Sequence, residues 1–124
     1  MNDLSRPNRA IRVPLDDNGK PLRDVQLYAL LSSYQDAVVR SSHLDSVTTE
    51  LIRLRCARQH DCRICQTLRL AAAQESGLDA DMESKIDFYE SSDLSERHKT
   101  ALRLVDAFIW RPQDMSEALV AQAH

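Results

Sequence analysis

Between Val25 and Arg111 the chain carries one glycine, Gly77, and no proline. A stretch that long without breakers cannot supply the frequent turns of a sheet built from short strands, and it suits helices. Pro7, Pro14, Pro21 and the other glycine, Gly19, all precede Asp24, among Arg6, Arg9 and Arg12. The sequence therefore predicts an extended arm over 1–24, ending in a turn at Asp16-Asp17-Asn18-Gly19-Lys20-Pro21, and an all-α domain over 25–124. With 124 residues, 43% of them hydrophobic, one domain with a modest core is expected.

Charge and cysteine use narrow the classes further. The net charge is −3 although the 16 basic residues include 13 arginines, so no global basic field draws the chain to nucleic acid or anionic lipid. No apolar run approaches the ~20 residues that span a bilayer, and Met-Asn-Asp-Leu-Ser-Arg-Pro lacks the apolar core of a signal peptide. A cytoplasmic protein with no membrane partner is expected. In that compartment three cysteines read as reactive or buried thiols and not as a disulfide framework.

Along the helical part, Val25, Leu27, Leu30, Leu31, Tyr34 and Val38 recur at helical spacing and predict a first helix with an apolar stripe for the core. Ser41-Ser42-His43 breaks the pattern. Asp45 then caps a helix that buries Val47, Leu51 and Leu54, and Gln59-His60-Asp61 interrupts it. Asp61 is expected to cap a following helix with Ile64, Cys65, Leu68 and Ala72 inward, ended by Gly77. A shorter helix is predicted through Ala80 to Phe88. Ser95 opens a strongly patterned one with Ala101, Leu104, Val105 and Phe108, and Pro112 stops it before a last amphipathic segment, Met115 to His124.

Cys62 and Cys65 stand at i and i+3, on one face of a helix and within reach of a disulfide. In a first turn capped by Asp61, Cys62 would be the more acidic thiol, because backbone donors favour the thiolate. Arg58, Arg63 and Arg69 push the same way and Asp61 opposes them. Glu50, on the preceding helix, is a candidate proton acceptor for one thiol, or else a solvated first-turn carboxylate.

Glu50-Leu-Ile-Arg-Leu-Arg-Cys-Ala-Arg-Gln-His-Asp-Cys62, followed by Arg-Ile-Cys65, resembles the carboxymuconolactone decarboxylase and alkylhydroperoxidase D-like family. The resemblance runs from about Leu44 to the end and includes Leu94-Ser95-Glu96-Arg97 and Pro112-Gln113-Asp114-Met115-Ser116. It implies an all-helical bundle domain, a trimer or hexamer, and one more packed helix than Met115 to His124 supplies. The chain is accordingly expected to be incomplete at its C-terminus, or covered there by a neighbouring chain.

For function the resemblance implies a thiol-dependent oxidoreductase of alkylhydroperoxidase or peroxiredoxin type. Cys62, Cys65 and Glu50 would act with histidines on a peroxide, with a dithiol or protein electron donor and no cofactor or metal. The family histidine four residues past the second cysteine is Arg69 here, and the one just before that cysteine is Ile64. Arginine stays protonated near neutrality, so Arg69 can stabilise a thiolate but not shuttle protons. His60 is the replacement candidate.

Two other readings stand beside this one: a decarboxylase-like enzyme acting on a small carboxylated metabolite, and a non-catalytic oligomeric helical module. Zinc would find His60, Cys62 and Cys65 but no fourth ligand. Cys56, alone in an apolar helix, reads as core packing.

Overall fold

The structure is a computed structural model that describes residues 16–18 and 25–124. The predicted arm otherwise lies outside the described residues; within it, the Asn18 N–H donates to Asp16 Oδ1 at 2.9 Å, as in the expected turn. The described residues are all-helical, without strands: α1 (Val25–Val39), α2 (Ser46–Gln59), α3 (Arg63–Thr67), α4 (Ala71–Glu75), α5 (Ala80–Ser84), a 3-10 stretch (Ile86–Ser91), α6 (Glu96–Trp110), a 3-10 turn (Pro112–Asp114) and α7 (Glu117–Gln122). Among these residues no helix is long and apolar enough to cross a membrane. Two compact units divide at Val38/Val39, inside α1.

In the first unit, α1 forms where the periodicity predicts it. Among the described residues its stripe is exposed where a core face was expected: Leu27, Leu30, Leu31, Tyr34 and Val38 are each more than half exposed. Apolar spacing determines that a helix is amphipathic but carries no information about what its face meets.

The second unit is built around α2 and α6. Asp45 caps α2 by accepting from the Thr48 N–H at 2.8 Å, and Ser95 caps α6 by accepting from the His98 N–H at 3.2 Å. Leu51, Leu54, Ile86 and Leu102 are fully buried, with Val47, Ala73, Leu78, Tyr89 and Leu94 around them. Removing each such leucine from water contributes about 1.5–3 kcal/mol. Arg55 reaches across to α6 with two bonds to Asp106 (2.8 and 3.0 Å), which also accepts from the Tyr89 hydroxyl at 2.9 Å. This polar bridge ties α2, the 3-10 stretch and α6 together.

Three expectations change. The segment from Asp61 to Gly77 is not one helix: Leu68 and Leu70 are extended, which separates α3 from α4. Ile64 and Leu68, expected to face inward, are exposed, and Ala73 is buried where Ala72 was expected. Beyond α5 the predicted Ala80–Phe88 helix tightens into the 3-10 stretch, whose Phe88 has non-helical dihedrals and is exposed. Of the α6 stripe, Val105 is buried but Phe108 is exposed; Leu102 and Thr100 complete the inner face.

Candidate functional site

The α2 helix ends as its sequence requires, at Gln59, with His60 as the capping residue and Asp61 in the left-handed region (φ 48°). That reversal displaces Asp61 from the capping role expected of it. Cys62 caps α3 instead, its Sγ accepting the Cys65 N–H at 3.3 Å. Cys62 and Cys65 are joined as a disulfide with their Cα atoms 5.2 Å apart, inside the usual 4.4–6.8 Å range. Both residues are half-buried.

Glu50 is completely buried, which removes the solvated first-turn reading. Its carboxylate accepts two parallel hydrogen bonds from Arg53, Nε to Oε2 and Nη2 to Oε1, both 2.7 Å, and a third from the Leu70 N–H at 3.1 Å. Arg53 uses the rest of its fork on the cysteine segment: Nη1 donates to the Cys65 carbonyl at 2.7 Å and Nη2 to the Leu68 carbonyl at 2.6 Å. Glu50 and the cysteine pair are thus brought together through Arg53.

Arg69 was expected beside a thiolate. Its guanidinium is committed elsewhere, to Glu83 by two bonds of 2.8 Å and to the carbonyls of Gln66 (2.5 Å) and Leu68 (2.8 Å). The Glu83 bonds raise its pKa further; burial opposes them, and the charges of Glu83 and Glu50 add to the rise. The exposed His60 turns back to the Cys56 carbonyl, which its Nδ1 meets at 2.8 Å. A carbonyl can only accept, so Nδ1 is the donor in this contact.

Arg53, Arg55, Arg58 and Arg69 are paired with Glu50, Asp106, Asp87 and Glu83. Arg63 is exposed. Cys56 is a free thiol in the wall of a cleft of about 860 Å³ between α2, α6 and α7, lined also by Ile52, Leu104, Val105 and Phe108. Burial, aided by the charge of Asp106, raises the Cys56 pKa. The sequence reading missed the link of Arg53 to Glu50 and the cysteine segment, and the part played by Glu83. The i, i+3 spacing of Glu50 and Arg53 was a usable signal for the first; nothing local marked the second.

No protein-family model matches the chain, and no solved structure matches it. Over 89 residues it is 40% identical to two proteins of Mycobacterium tuberculosis, MT2376 of strain CDC 1551 / Oshkosh and Rv2313c of strain ATCC 25618 / H37Rv, both described as uncharacterized. The match covers 71% of this chain and 31% of each relative, so the chain spans about a third of the length of the curated relatives it matches.

Proposed function

We propose that the chain carries a thiol-dependent oxidoreductase centre in which Cys62 and Cys65 cycle between dithiol and disulfide, as the resemblance to alkylhydroperoxidase D-like proteins implies. The observation that carries this reading is the pair itself: two half-buried cysteines joined across one helical turn. The backbone N–H aimed at Cys62 Sγ would favour a thiolate there in the dithiol form.

In the peroxide reaction, one thiolate attacks the terminal oxygen of ROOH. The O–O bond breaks, RO⁻ takes a proton and leaves as ROH, and the cysteine becomes a sulfenic acid. The second cysteine attacks that sulfur, water departs, and the Cys62–Cys65 bond forms. An external dithiol, small or on a protein, then reduces the disulfide by exchange and is itself oxidised. With Arg69 held by Glu83, this reading assigns the proton taken by RO⁻ to solvent or to the exposed His60, whose Nε2 is not engaged by the Cys56 carbonyl. The same reading carries a trimer or hexamer of the chain, which native mass measurement tests directly.

Fully reduced protein treated with one equivalent of peroxide should lose two alkylatable thiols and two hydrogens in mass, with Cys56 still alkylatable after unfolding. Cys62→Ser and Cys65→Ser should each stop disulfide formation. A wild type that neither forms the Cys62–Cys65 bond nor consumes peroxide with any dithiol donor sinks the proposal.

A further inference from the structure

Helix α3 is cut short in a way that leaves its carbonyls to side chains. In a continuing α-helix the Arg69 N–H would bond the Cys65 carbonyl. Leu68 lies at φ −72°, ψ 146° and Leu70 at φ −80°, ψ 118°, so the helical path ends at Thr67. The donor that meets the Cys65 carbonyl is instead Arg53 Nη1, from α2, and the same guanidinium takes the Leu68 carbonyl. Its direction is not left to a flexible side chain, because Glu50, fully buried one turn earlier on α2, grips it with two parallel bonds and also accepts the Leu70 N–H beyond the break. Charge-assisted forked pairs of this kind fix geometry as well as adding energy.

Resting on the redox reading above, we propose that Arg53 is the positioning residue of the cysteine pair: anchored on Glu50, it caps the Cys65 carbonyl and holds α3 in the turn that keeps the two sulfurs within bonding reach. Glu50 acts through Arg53, and its carboxylate is an anchor. The covalent bond restrains the turn in the disulfide form whether or not Arg53 is present. In the dithiol form that restraint falls to the clamp together with the turn's own backbone bonds, Cys62 N–H to the Ala57 carbonyl and Gln66 N–H to the Cys62 carbonyl (both 2.9 Å). Losing the clamp lets the dithiol form relax and gain conformational freedom, which shifts the equilibrium toward the dithiol.

The test uses the full chain equilibrated in glutathione redox buffers, with thiols trapped and counted by mass, for wild type, Arg53→Lys and Arg53→Met, beside the melting temperature of each redox form. Arg53→Lys keeps a cation beside Glu50 but lacks the fork. It should move the dithiol/disulfide equilibrium about tenfold toward dithiol, a rise in potential of about 30 mV for a two-electron couple. Arg53→Met should move it at least as far.

A merely structural residue would lower the melting temperature and leave the equilibrium constant in place. A folded Arg53→Lys within twofold of wild type therefore overturns the proposal while leaving the redox reading intact. A wild type that forms no Cys62–Cys65 disulfide in these buffers overturns both. Should both variants fail to fold, the wild type decides: Arg53 Hε must stay protected from exchange in the dithiol form, and free exchange there overturns the clamp.

Discussion

Cys56 shows how burial separates thiols of one chain. Its pKa is raised by desolvation and by Asp106, so at neutral pH it holds less thiolate than an exposed cysteine. In reduced protein at pH 7, iodoacetamide should modify the Cys62–Cys65 pair well before Cys56, and Cys56→Ala should leave the redox equilibrium of the pair unchanged. Peptide mapping at timed intervals checks the order.

His98 makes a second prediction at the same scale. Its Nδ1 is buried with no hydrogen-bond partner among the described residues. Burial lowers its pKa, Asp45 opposes that shift and Arg97 adds to it. The unfolded chain takes up this proton near pH ~6.5 and the folded chain only at lower pH, so protons favour unfolding. Stability from this group is full above about pH 6.5 and falls as the pH drops through the window down to the folded-state pKa. Urea melts between pH 8 and pH 5 should show a smaller loss in His98→Gln than in wild type; equal losses would exclude His98 as a source.

At the scale of elements, the caps are the strongest local determinants. Asp45 bonds both the N–H and the hydroxyl of Thr48 and meets Arg97 at 3.0 Å. Burial resists ionisation of Asp45, yet these partners outweigh it and hold its pKa below the ordinary value. Its contribution is therefore present at neutral pH and lost as the pH falls through the folded-state pKa. Asp45→Ala and Ser95→Ala should each cost about 1 kcal/mol by urea denaturation.

Between α2 and α3 the left-handed Asp61 sets the turn. Asp61→Gly should be tolerated within about 0.5 kcal/mol. Asp61→Val, whose branched side chain resists positive φ, should cost about 1–2 kcal/mol and loosen the cysteine turn. Equal stability of the two variants would mean that the turn is not conformationally selective.

At the scale of the whole molecule, the second unit is held by apolar burial across α2 and α6 and by the Arg55–Asp106–Tyr89 bridge. Leu51→Ala and Leu102→Ala, both at fully buried positions, should each cost about 2–5 kcal/mol through lost transfer energy and a residual cavity. Asp106→Ala takes the partner from the Tyr89 hydroxyl and leaves the mostly buried Arg55 with only the longer 3.5 Å pairing to Asp87. It should cost roughly 2–3 kcal/mol, and Arg55→Leu combined with it should recover part of that loss, which a double-mutant cycle measures.

The sequence by itself determined what depends on neighbours along the chain. The dearth of breakers meant helices; Asp45 and Ser95 marked two helix starts, and Pro112 marked an end. Cys62 and Cys65, three residues apart, had to share a face. What only the tertiary structure decided depends on partners remote in sequence. Arg55 finds Asp106 51 residues away, Arg69 finds Glu83 14 away, and Arg53 crosses 12 residues to the Cys65 carbonyl. Local spacing could name Arg69 as a charge near a thiol but could not say that a carboxylate from α5 would take it. Propensity likewise favoured helix through Leu68 to Leu70. The buried Glu50 carboxylate, which must be satisfied once removed from water, draws in the Leu70 N–H and Arg53, and that demand shapes the segment beside the cysteines.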